Sequence, residues 1–250
     1  MKLDLSGKTA LVTGGARGIG EAVSRTLASA GATVLVNFNR SGDQAVKLRE
    51  ELRSRGNGCE LFQADISDPA QVESLFRRIG QEYGGLDILV NNAGITRDTL
   101  LLTMKLSDWE SVQQVNLRGA FLTTRMAAEF MVPRHGGKII NIASVAANAG
   151  GRGQTNYAAS KGGLVAFTRA CAVELAPKGI LVNAVLPGVI ETQMSSRMRK
   201  RAGDILLGRI PLQRFGSAQD VADLVLFLAS DKSDYLTGQA ISLDGGLSIS

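Results

Sequence analysis

Short apolar runs and longer amphipathic stretches alternate along the whole chain. The apolar runs are rich in Val, Ile and Leu, as in strands that are buried on both faces, and the stretches between them have the periodicity of helices. The predicted strands are residues 9–12, 33–37, 59–63, 87–90, 138–142, 180–185 and 240–243. This alternation predicts an α/β fold, a Rossmann-like, doubly wound parallel sheet of about seven strands with helices on both faces.

The stretches predicted to be helical are residues 20–30, 43–55, 107–131, 155–175 and 218–229. A further helix opens at Ser67-Asp68-Pro69, where a capping residue precedes a proline of the first turn. Only residues 191–212 depart from the alternation, since they are polar and end in Ile210-Pro211. Ligands bind beyond the carboxyl ends of the strands in such sheets, so we expect this segment to form a lid. Because no linker or repeat interrupts the pattern, residues 1–250 are predicted to be a single domain.

The composition excludes several classes of protein. The 250 residues include 28 Lys and Arg against 23 Asp and Glu, a net charge of +5, and 44% are hydrophobic, unlike a disordered chain. One histidine, His135, and two cysteines, Cys59 and Cys171, are too few for a disulfide scaffold or a zinc site. The apolar runs fall short of the ~20 residues of a membrane span, and the first residues do not resemble a signal peptide. We therefore expect a cytoplasmic protein with no metal, no membrane contact and no nucleic-acid partner.

A glycine-rich loop joins the first predicted strand to the first helix, with the sequence Thr-Gly-Gly-Ala-Arg-Gly-Ile-Gly at residues 13–20. Glycines at such a place let backbone N–H groups and the helix N-terminus approach a phosphate closely. The spacing is G-x-x-x-G-x-G, and its position after the first strand favours a dinucleotide site over a plain tight turn. The candidate cofactor-binding residues of this loop are Gly14, Arg17, Gly18, Ile19 and Gly20.

The end of the second strand indicates which dinucleotide binds. NAD-binding units place an acidic residue there to hold the ribose 2′-hydroxyl, but here Asn37 is followed by no acid before Asp43. Arg17 and Arg40 instead offer planar guanidinium groups, which suit a 2′-phosphate. This pattern favours NADP (NADPH), with Asn37 and Arg40 among the residues that bind it. The alternative is that both arginines are merely solvated.

Tyr157 and Lys161 lie one helical turn apart on the same face of a predicted helix. A free phenol titrates near 10, and an ammonium within ~4 Å would lower its pKa by about three units, toward working pH. Ser144 follows the fifth strand at its carboxyl end, where its hydroxyl would bind a carbonyl oxygen. A Tyr-x-x-x-Lys spacing alone is usually a surface pair. Beside a glycine loop and a serine at a strand end, it favours proton transfer to a carbonyl.

Together these motifs resemble those of the short-chain dehydrogenases/reductases. The likeness covers about residues 5–247, because Asn91-Asn92-Ala93-Gly94 and Pro187-Gly188 also occur in the family's order. The resemblance implies a catalytic tetrad of Asn116, Ser144, Tyr157 and Lys161. Tyr157 would donate the proton to the carbonyl oxygen, and Ser144 would orient and polarise that carbonyl. Lys161 would lower the Tyr157 pKa and hold the nicotinamide ribose, and Asn116 would hold a water that relays protons.

The resemblance also implies contacts with the cofactor outside the glycine loop. Asp65 would accept a hydrogen bond from the adenine amino group, with Ile66 beside it, and Thr192 would bind the carboxamide. Asn91 would support the adenosine side, unless its amide simply ties strand to turn. The other residues implied at the cofactor are Asn92, Ala93, Gly94, Pro187, Gly188 and Ile190.

Within the family, the likeness is greatest to the 3-oxoacyl-[acyl-carrier-protein] reductases of fatty-acid synthesis, through residues 91–98, 134–136, 153–157 and 235–238. It implies NADPH-dependent reduction of a 3-oxoacyl thioester to the 3-hydroxyacyl form, acyl carrier protein as the carrier of the substrate, and a homotetramer. Two alternatives stay open. One is a reductase of acetoacetyl-CoA or other small ketones, and the other is a non-catalytic dinucleotide sensor or scaffold. A sensor has no need of a proton donor and its activator, so Tyr157 and Lys161 argue against it.

The resemblance bears on the docking of the carrier as well. Such reductases offer basic residues beside the cleft to the acidic carrier. Arg134 occupies one such position, but Val173 stands where another arginine is often found. We hypothesise that the basic cluster of residues 197–201 supplies the missing charge, and the alternative is a solvated lid helix. The small residues at 158–163 fit a helix that packs on a twin, or ordinary packing of helix on sheet.

Overall fold

The structure of the protein is a computed structural model that describes residues 3–249, apart from the side chains of residues 197, 198, 201 and 202. One parallel sheet contains seven strands in the order β3-β2-β1-β4-β5-β6-β7. The strands are β1 (Thr9–Val12), β2 (Thr33–Phe38), β3 (Cys59–Gln63), β4 (Ile88–Asn91), β5 (Gly137–Ile142), β6 (Ile180–Pro187) and β7 (Ala240–Leu243). The predicted fold class is confirmed, and each predicted strand is present within two residues of its expected ends.

Eight α-helices connect the strands and cover both faces of the sheet. They are α1 (Gly18–Ser29), α2 (Gly42–Ser54), α3 (Pro69–Tyr83), α4 (Leu106–Gln113), α5 (Gly119–Met131), α6 (Thr155–Leu175), α7 (Ser196–Gly208) and α8 (Ala218–Ala229). The predicted cap of α3 is present, because the Asp68 carboxylate accepts hydrogen bonds from the backbone N–H groups of Ala70 and Gln71. No helix within residues 3–249 combines the length and the apolar character needed to cross a membrane.

The stretch predicted as one long helix over residues 107–131 is divided in the structure. Between α4 and α5, residues Gln114–Arg118 form a π-helical turn, whose hydrogen bonds skip one residue more than those of an α-helix. This turn carries Asn116, which is buried. A hydrophobic pattern does not resolve a single wider turn inside a helix, so the sequence predicts the length of this region but not its break.

The core lies in two main layers, one on each face of the sheet. Along β1, Ala10 and Val12 pack with α1, α2 and α8, whereas Leu11 packs with α3 and α5 on the opposite face. Successive side chains of a strand point to opposite faces, so both faces of β1 must be apolar. This burial explains why inner strands such as β1 are apolar runs and do not alternate with polar residues.

The order of the strands creates a crevice at the carboxyl edge of the sheet. From β1 the chain winds outward through β2 to β3, and then crosses back to β4 on the other side of β1. The connections after β1 and β4 run in opposite directions, so a gap lies between them at the carboxyl ends of these two strands. Open α/β sheets bind their ligands in such a gap. The glycine loop follows β1 and residues 92–94 follow β4, so the fold brings these two segments to one crevice.

Candidate active site

The glycine loop folds tightly against the start of α1. Gly14 and Gly18 have φ values of +60° and +54°, a left-handed conformation that L side chains rarely adopt. A Cβ atom on Gly20 would lie 2.3 Å from the backbone oxygen of Gly14, so no other residue fits there without moving the loop. Ile19 is partly buried against the core. These constraints leave the first turn of α1 directed at the crevice, as the phosphate-binding prediction requires.

Two asparagines expected to bind cofactor hold the loop from behind. The side-chain amide of Asn92 donates hydrogen bonds to the backbone oxygens of Thr13 at 2.9 Å and Gly14 at 3.1 Å. Asn37 is buried, and its amide donates to the backbone oxygens of Phe62 and Ala64. Asn37 Oδ1 also accepts from the backbone N–H of Gly14 at 3.4 Å, so both side chains support the loop. The contact of Asn37 and Asn92 with the cofactor stays a prediction.

The side chain of Asn91 has partners within the protein, and its support of the adenosine side stays a prediction. Its buried amide donates to Asn141 Oδ1 and Thr124 Oγ1, both at 2.9 Å, and its oxygen accepts from Thr123 Oγ1 at 2.6 Å. Asn141 in turn donates to Thr168 at 2.8 Å. This network ties β4 and β5 to the two long helices beside them, which is the alternative that the sequence left open.

The adenine end of the crevice lies at the ends of β2 and β3. The Asp65 carboxylate accepts a hydrogen bond from Asn39 Nδ2 at 2.9 Å, and Ile66 is buried beside it. Arg17 and Arg40 are both exposed, and neither has a hydrogen-bond or ion-pair partner within the described residues. Two unpaired guanidinium groups at this edge fit the charge of a 2′-phosphate, so the residues present suit NADP.

Close contacts connect the glycine loop to the catalytic side chains. A Cβ on Gly14 would lie 3.1 Å from Ala93 Cα, and a Cβ on Gly94 would lie 3.6 Å from Lys161 Nζ. A Cβ on Gly94 would also lie 3.4 Å from Asn116 Oδ1. Gly14, Ala93 and Gly94 thus form one continuous floor that runs from the loop to the predicted tetrad.

The segment after β6 closes the crevice on another side. Thr192 lies beside the glycine loop, since a Cβ on Gly18 would be 3.5 Å from Thr192 Cγ2. Gly188, which follows Pro187, packs so closely on Asp244 that a Cβ would lie 2.7 Å from the Asp244 Cβ. Ile190 is buried and pairs with Gly216 in a short parallel bridge. The chain between these paired residues contains α7 and includes residues 191–212, the segment predicted to form a lid.

Lys161 is buried and holds a defined position. Its Nζ donates a hydrogen bond to the backbone oxygen of Ile142 at 2.6 Å and lies 5.8 Å from the centre of the Tyr157 ring. Burial lowers the pKa of Lys161 to about 8, because the charged form loses its hydration. The ammonium is therefore anchored at the carboxyl end of β5, within reach of the floor of the crevice.

The expectation that the Tyr157 pKa falls toward working pH is wrong for this structure. Burial raises the pKa of Tyr157, and its hydrogen bond with Ser144 lowers it less. The negative charge of Asp98 raises it further. The reason is geometric, since Lys161 gives its short hydrogen bond to Ile142 and not to the phenol. Tyr157 is consequently held as a neutral phenol, which is the form that donates a proton.

Asn116 uses its amide within the protein. Its Oδ1 accepts from the backbone N–H of Ile95 at 2.8 Å, and its Nδ2 donates to the backbone oxygen of Ile95 and to Ser160 Oγ, both at 3.1 Å. We expected Asn116 to hold a water, but both N–H groups of its amide are already engaged. The side chain joins the segment after β4 to α6, so that it positions the two segments that carry Gly94 and Tyr157.

Asp98 and Gln154 belong to the site, although the sequence assigned them no role. Gln154 Nε2 donates to Asp98 Oδ2 at 3.2 Å, just before the first turn of α6. The carboxylate is close enough to Tyr157 to raise the pKa of its phenol. Both residues lie in the stretches that carry the family resemblance, but their sequence separation of 56 residues concealed the pair.

The expected position of Arg134 beside the cleft is wrong. Arg134 comes just before β5, at the amino edge of the sheet, and the candidate site lies at the carboxyl edge. Its Nη2 donates to the backbone oxygen of Gly84 at 2.6 Å, and its Nη1 lies 3.9 Å from Asp87. Val173, 79% exposed near the end of α6, lies toward the same amino edge.

The basic cluster of the lid is described only in part. Arg199 donates from Nε to Ser195 Oγ at 3.2 Å and lies 3.4 Å from Glu191, so it ties α7 to the base of the lid. Lys200 is exposed. The side chains of residues 197 and 201 lie outside the described residues. Arg199 therefore has a local partner, which weakens the hypothesis that it steers an acidic protein.

A dinucleotide crevice beside a Ser–Tyr–Lys group defines an oxidoreductase that moves a hydride to or from a carbonyl carbon. A family model described as enoyl-(acyl carrier protein) reductase matches residues 14–248. The chain belongs to the short-chain dehydrogenase/reductase family. This confirms the resemblance that the motifs indicated.

Named relatives match the chain over almost its full length. It is 45% identical over 247 residues to the 3-oxoacyl-[acyl-carrier-protein] reductase FabG of Thermotoga maritima. The matched region covers 98% of this chain and 99% of the relative. The chain is 44% identical over 248 residues to the enzyme of the same name from Aquifex aeolicus, covering 99% and 100%.

Solved structures show the same fold. A putative gluconate dehydrogenase from Agrobacterium tumefaciens has a TM-score of 0.97 and 35% identity, covering 100% of this chain and 99% of the other. A gluconate 5-dehydrogenase from Burkholderia cenocepacia, solved in complex with NADP and tartrate, has a TM-score of 0.95 and 35% identity, covering 100% and 98%.

Proposed function

We propose that the chain reduces a 3-oxoacyl-[acyl-carrier-protein] to the 3-hydroxyacyl form with NADPH, in fatty-acid synthesis in the cytoplasm. The observation that carries the proposal is the group of the partly buried Ser144 and Tyr157 and the buried Lys161 at the end of a dinucleotide crevice. Relatives at 44–45% identity over nearly the whole chain bear the name of this activity. NADPH supplies the hydride when it is bound.

The residues of the chain supply the proton and the orientation. Ser144 binds the carbonyl oxygen of the substrate, and the neutral Tyr157 phenol donates its proton to that oxygen as negative charge develops on it. The Lys161 ammonium, at the floor beside Gly94, stabilises the phenolate left behind and binds ribose hydroxyls. Asn116 keeps the segment carrying Gly94 against α6.

The cofactor is NADPH in this proposal, with Arg17 and Arg40 as the residues that select it. Both guanidinium groups are exposed and unpaired within the described residues, so a 2′-phosphate would not have to displace a carboxylate. The gluconate 5-dehydrogenase relative, whose structure contains NADP, shares the fold over the full length of the chain. Thr192 lies beside Gly18 at the far side of the loop and binds the carboxamide.

The chain assembles as a homotetramer in this proposal, through the exposed faces of α5 and α6. Phe121 is 44% exposed, and its ring lies 6.3 Å from that of Phe167 on the neighbouring helix. A groove of about 460 Å³ separates the helices there. Its lining residues are Gln113, Gln114, Leu117, Arg118, Phe121, Gly163 and Phe167. The occupant is the same face of a second copy.

The proposal is tested by following NADPH oxidation on one short 3-oxoacyl group, offered as its carrier-protein thioester and as its CoA thioester. NADH and a keto acid of the gluconate type are run beside them. Higher kcat/KM for the carrier-bound group with NADPH supports the proposal. Equal rates with the two thioesters, or a preference for CoA, would make the protein a general 3-oxoacyl-CoA reductase. Turnover of the sugar acid alone would move it to the activity named for its structural relatives.

A further inference from the structure

Four leucines are exposed between β4 and the start of α4. Leu100, Leu101 and Leu102 are 47%, 65% and 98% exposed, and Leu106 is 70% exposed. We call Leu100–Leu102 and Leu106 the leucine patch. Single exposed apolar side chains are common on protein surfaces, but four within seven residues concentrate apolar surface in one short segment, and concentrations of exposed apolar surface mark binding sites.

The chain just before the leucine patch is attached to the beginning of α6, where Tyr157 lies. The backbone N–H of Thr99 donates to the oxygen of Gly153 at 2.9 Å. Asn156 Nδ2 donates to the backbone oxygen of Arg97, also at 2.9 Å. These bonds fix the base of the patch against the catalytic helix, so the patch does not lie on an independent loop.

The leucine patch also lies close to the reacting phenol. Asp98 bonds Gln154 at the start of α6, and its charge acts on Tyr157. Leu102 is four residues beyond Asp98, so its Cα is within about 14 Å of the Asp98 Cα even if the chain is fully extended. The predicted cofactor floor reaches the site from the glycine loop through Gly94, beside Lys161. The leucine patch instead follows Asp98 along the chain, so it borders the site near the start of α6.

We propose that the leucine patch binds the acyl chain of the thioester substrate and sets a preference for longer chains. The inference rests on the proposed function, since a 3-oxoacyl group reacts at its third carbon and carries an apolar tail from the fourth carbon outward. That tail needs an apolar surface next to Tyr157. Each buried methylene favours binding about fourfold, so two or three methylenes on the patch increase kcat/KM by about 15- to 60-fold.

The test is the double variant Leu101→Ser/Leu102→Ser, because both side chains are largely exposed and their loss leaves the core intact. We expect kcat/KM for a ten-carbon 3-oxoacyl thioester to fall at least tenfold, with less than a twofold change for the four-carbon thioester. The matched control is Tyr235→Ser, which removes a fully exposed aromatic side chain near the amino edge of the sheet, far from the site. It should leave both substrates unaffected.

Binding is also measured without turnover, through the fluorescence of Trp109, the only tryptophan of the chain. Trp109 is 36% exposed and lies one turn after Leu106 on α4. The wild type should bind a saturated ten-carbon acyl pantetheine at least tenfold more tightly than the four-carbon one, and the double variant should lose that difference. If the wild type reduces neither thioester, the proposed function fails while this titration still decides the role of the patch.

Three outcomes overturn the inference. Equal losses on the short and the long substrate would mean that the patch supports the site and does not contact the tail. An unchanged ratio between the two substrates would mean that the tail leaves by another route. A change in the mass of the assembly, measured by sedimentation of the double variant, would mean that the leucines contact a second copy of the chain.

Discussion

Replacing Gly20 by alanine tests whether close packing shapes the glycine loop. Alanine favours a helix over glycine by about 1 kcal/mol, so propensity alone predicts a more stable protein. The new Cβ would, however, lie 2.3 Å from the Gly14 oxygen and 2.4 Å from Asn92 Nδ2, where real Cβ atoms keep at least 3.0 Å. The loop must therefore retreat by more than half an ångström from the position that Asn92 holds.

The cost follows from these contacts. Overpacking costs about 1–3 kcal/mol, and weakening the two hydrogen bonds from Asn92 costs about 1 kcal/mol each. After the gain in propensity, Gly20→Ala should lose about 2–4 kcal/mol of unfolding free energy, measured by urea denaturation. NADPH, titrated by fluorescence, should bind at least tenfold more weakly, because the loop N–H groups move with Gly14.

The matched control is Gly203→Ala in α7, where a Cβ would have no heavy atom within 4 Å. The free energy of unfolding of this variant should rise by up to about 1 kcal/mol, as expected when alanine replaces a glycine inside a helix. Our account of the loop would be wrong if Gly20→Ala raised the free energy of unfolding as much as Gly203→Ala does and also bound NADPH as tightly as the wild type. The close approach of α1 to the loop would then have no effect on stability or binding.

Three further predictions concern the catalytic and cofactor residues. Tyr157→Phe should lower kcat by about 10²–10⁴-fold and leave the Kd for NADPH within twofold of wild type, and full turnover would exclude Tyr157 as the proton donor. Burial lowers the pKa of Lys161 from its ordinary 10.5 to about 8. Between these values the unfolded chain binds more protons, so this group adds stability as the pH rises. Lys161→Met should remove that gain, at most about 3 kcal/mol, and an unchanged slope of unfolding free energy from pH 8 to 9.5 would contradict it. Arg17→Gln and Arg40→Gln should each lower the ratio of kcat/KM for NADPH over NADH by about tenfold or more, and an unchanged ratio would remove that arginine from the 2′-phosphate site.

The sheet could be predicted from the sequence because its inner strands are buried on both faces and contain apolar runs, and β2 has the run Val34–Val36 in its middle. The two edge strands, β3 and β7, are less buried. The glycine loop, Ser144, Tyr157 and Lys161 could be found for a related reason: each lies at a fixed place after a strand or within one helical turn. The local spacing of such residues along the chain is enough to identify them from the sequence.

The partners of the polar side chains could not be predicted in the same way. Asn37, Asn92 and Asn116 were expected at the cofactor or its water, but their amides bond backbone groups that lie 21 to 79 residues away along the chain. An amide serves equally well as a ligand contact or as an internal brace, and only the tertiary structure decides between them. Arg134 was misplaced for a simpler reason, since a residue before a strand and a residue after it lie at opposite edges of the sheet.

The π-helical turn at Gln114–Arg118 makes the site sensitive to chain length as well as to residue identity. A π turn contains one residue more than the α-helical turn it replaces. Deleting one residue there would let α4 and α5 merge into a regular helix. Because the wide turn takes up the extra residue, the helix on either side would keep nearly its present phase, and only the residues of the turn itself would shift by one position, which is about 100° around the helix axis. Asn116 would then turn away from Ile95 without any substitution at either position. A single-residue deletion in this turn should therefore impair the site more than a point substitution does. Insertions or deletions that a surface loop tolerates would not be tolerated here.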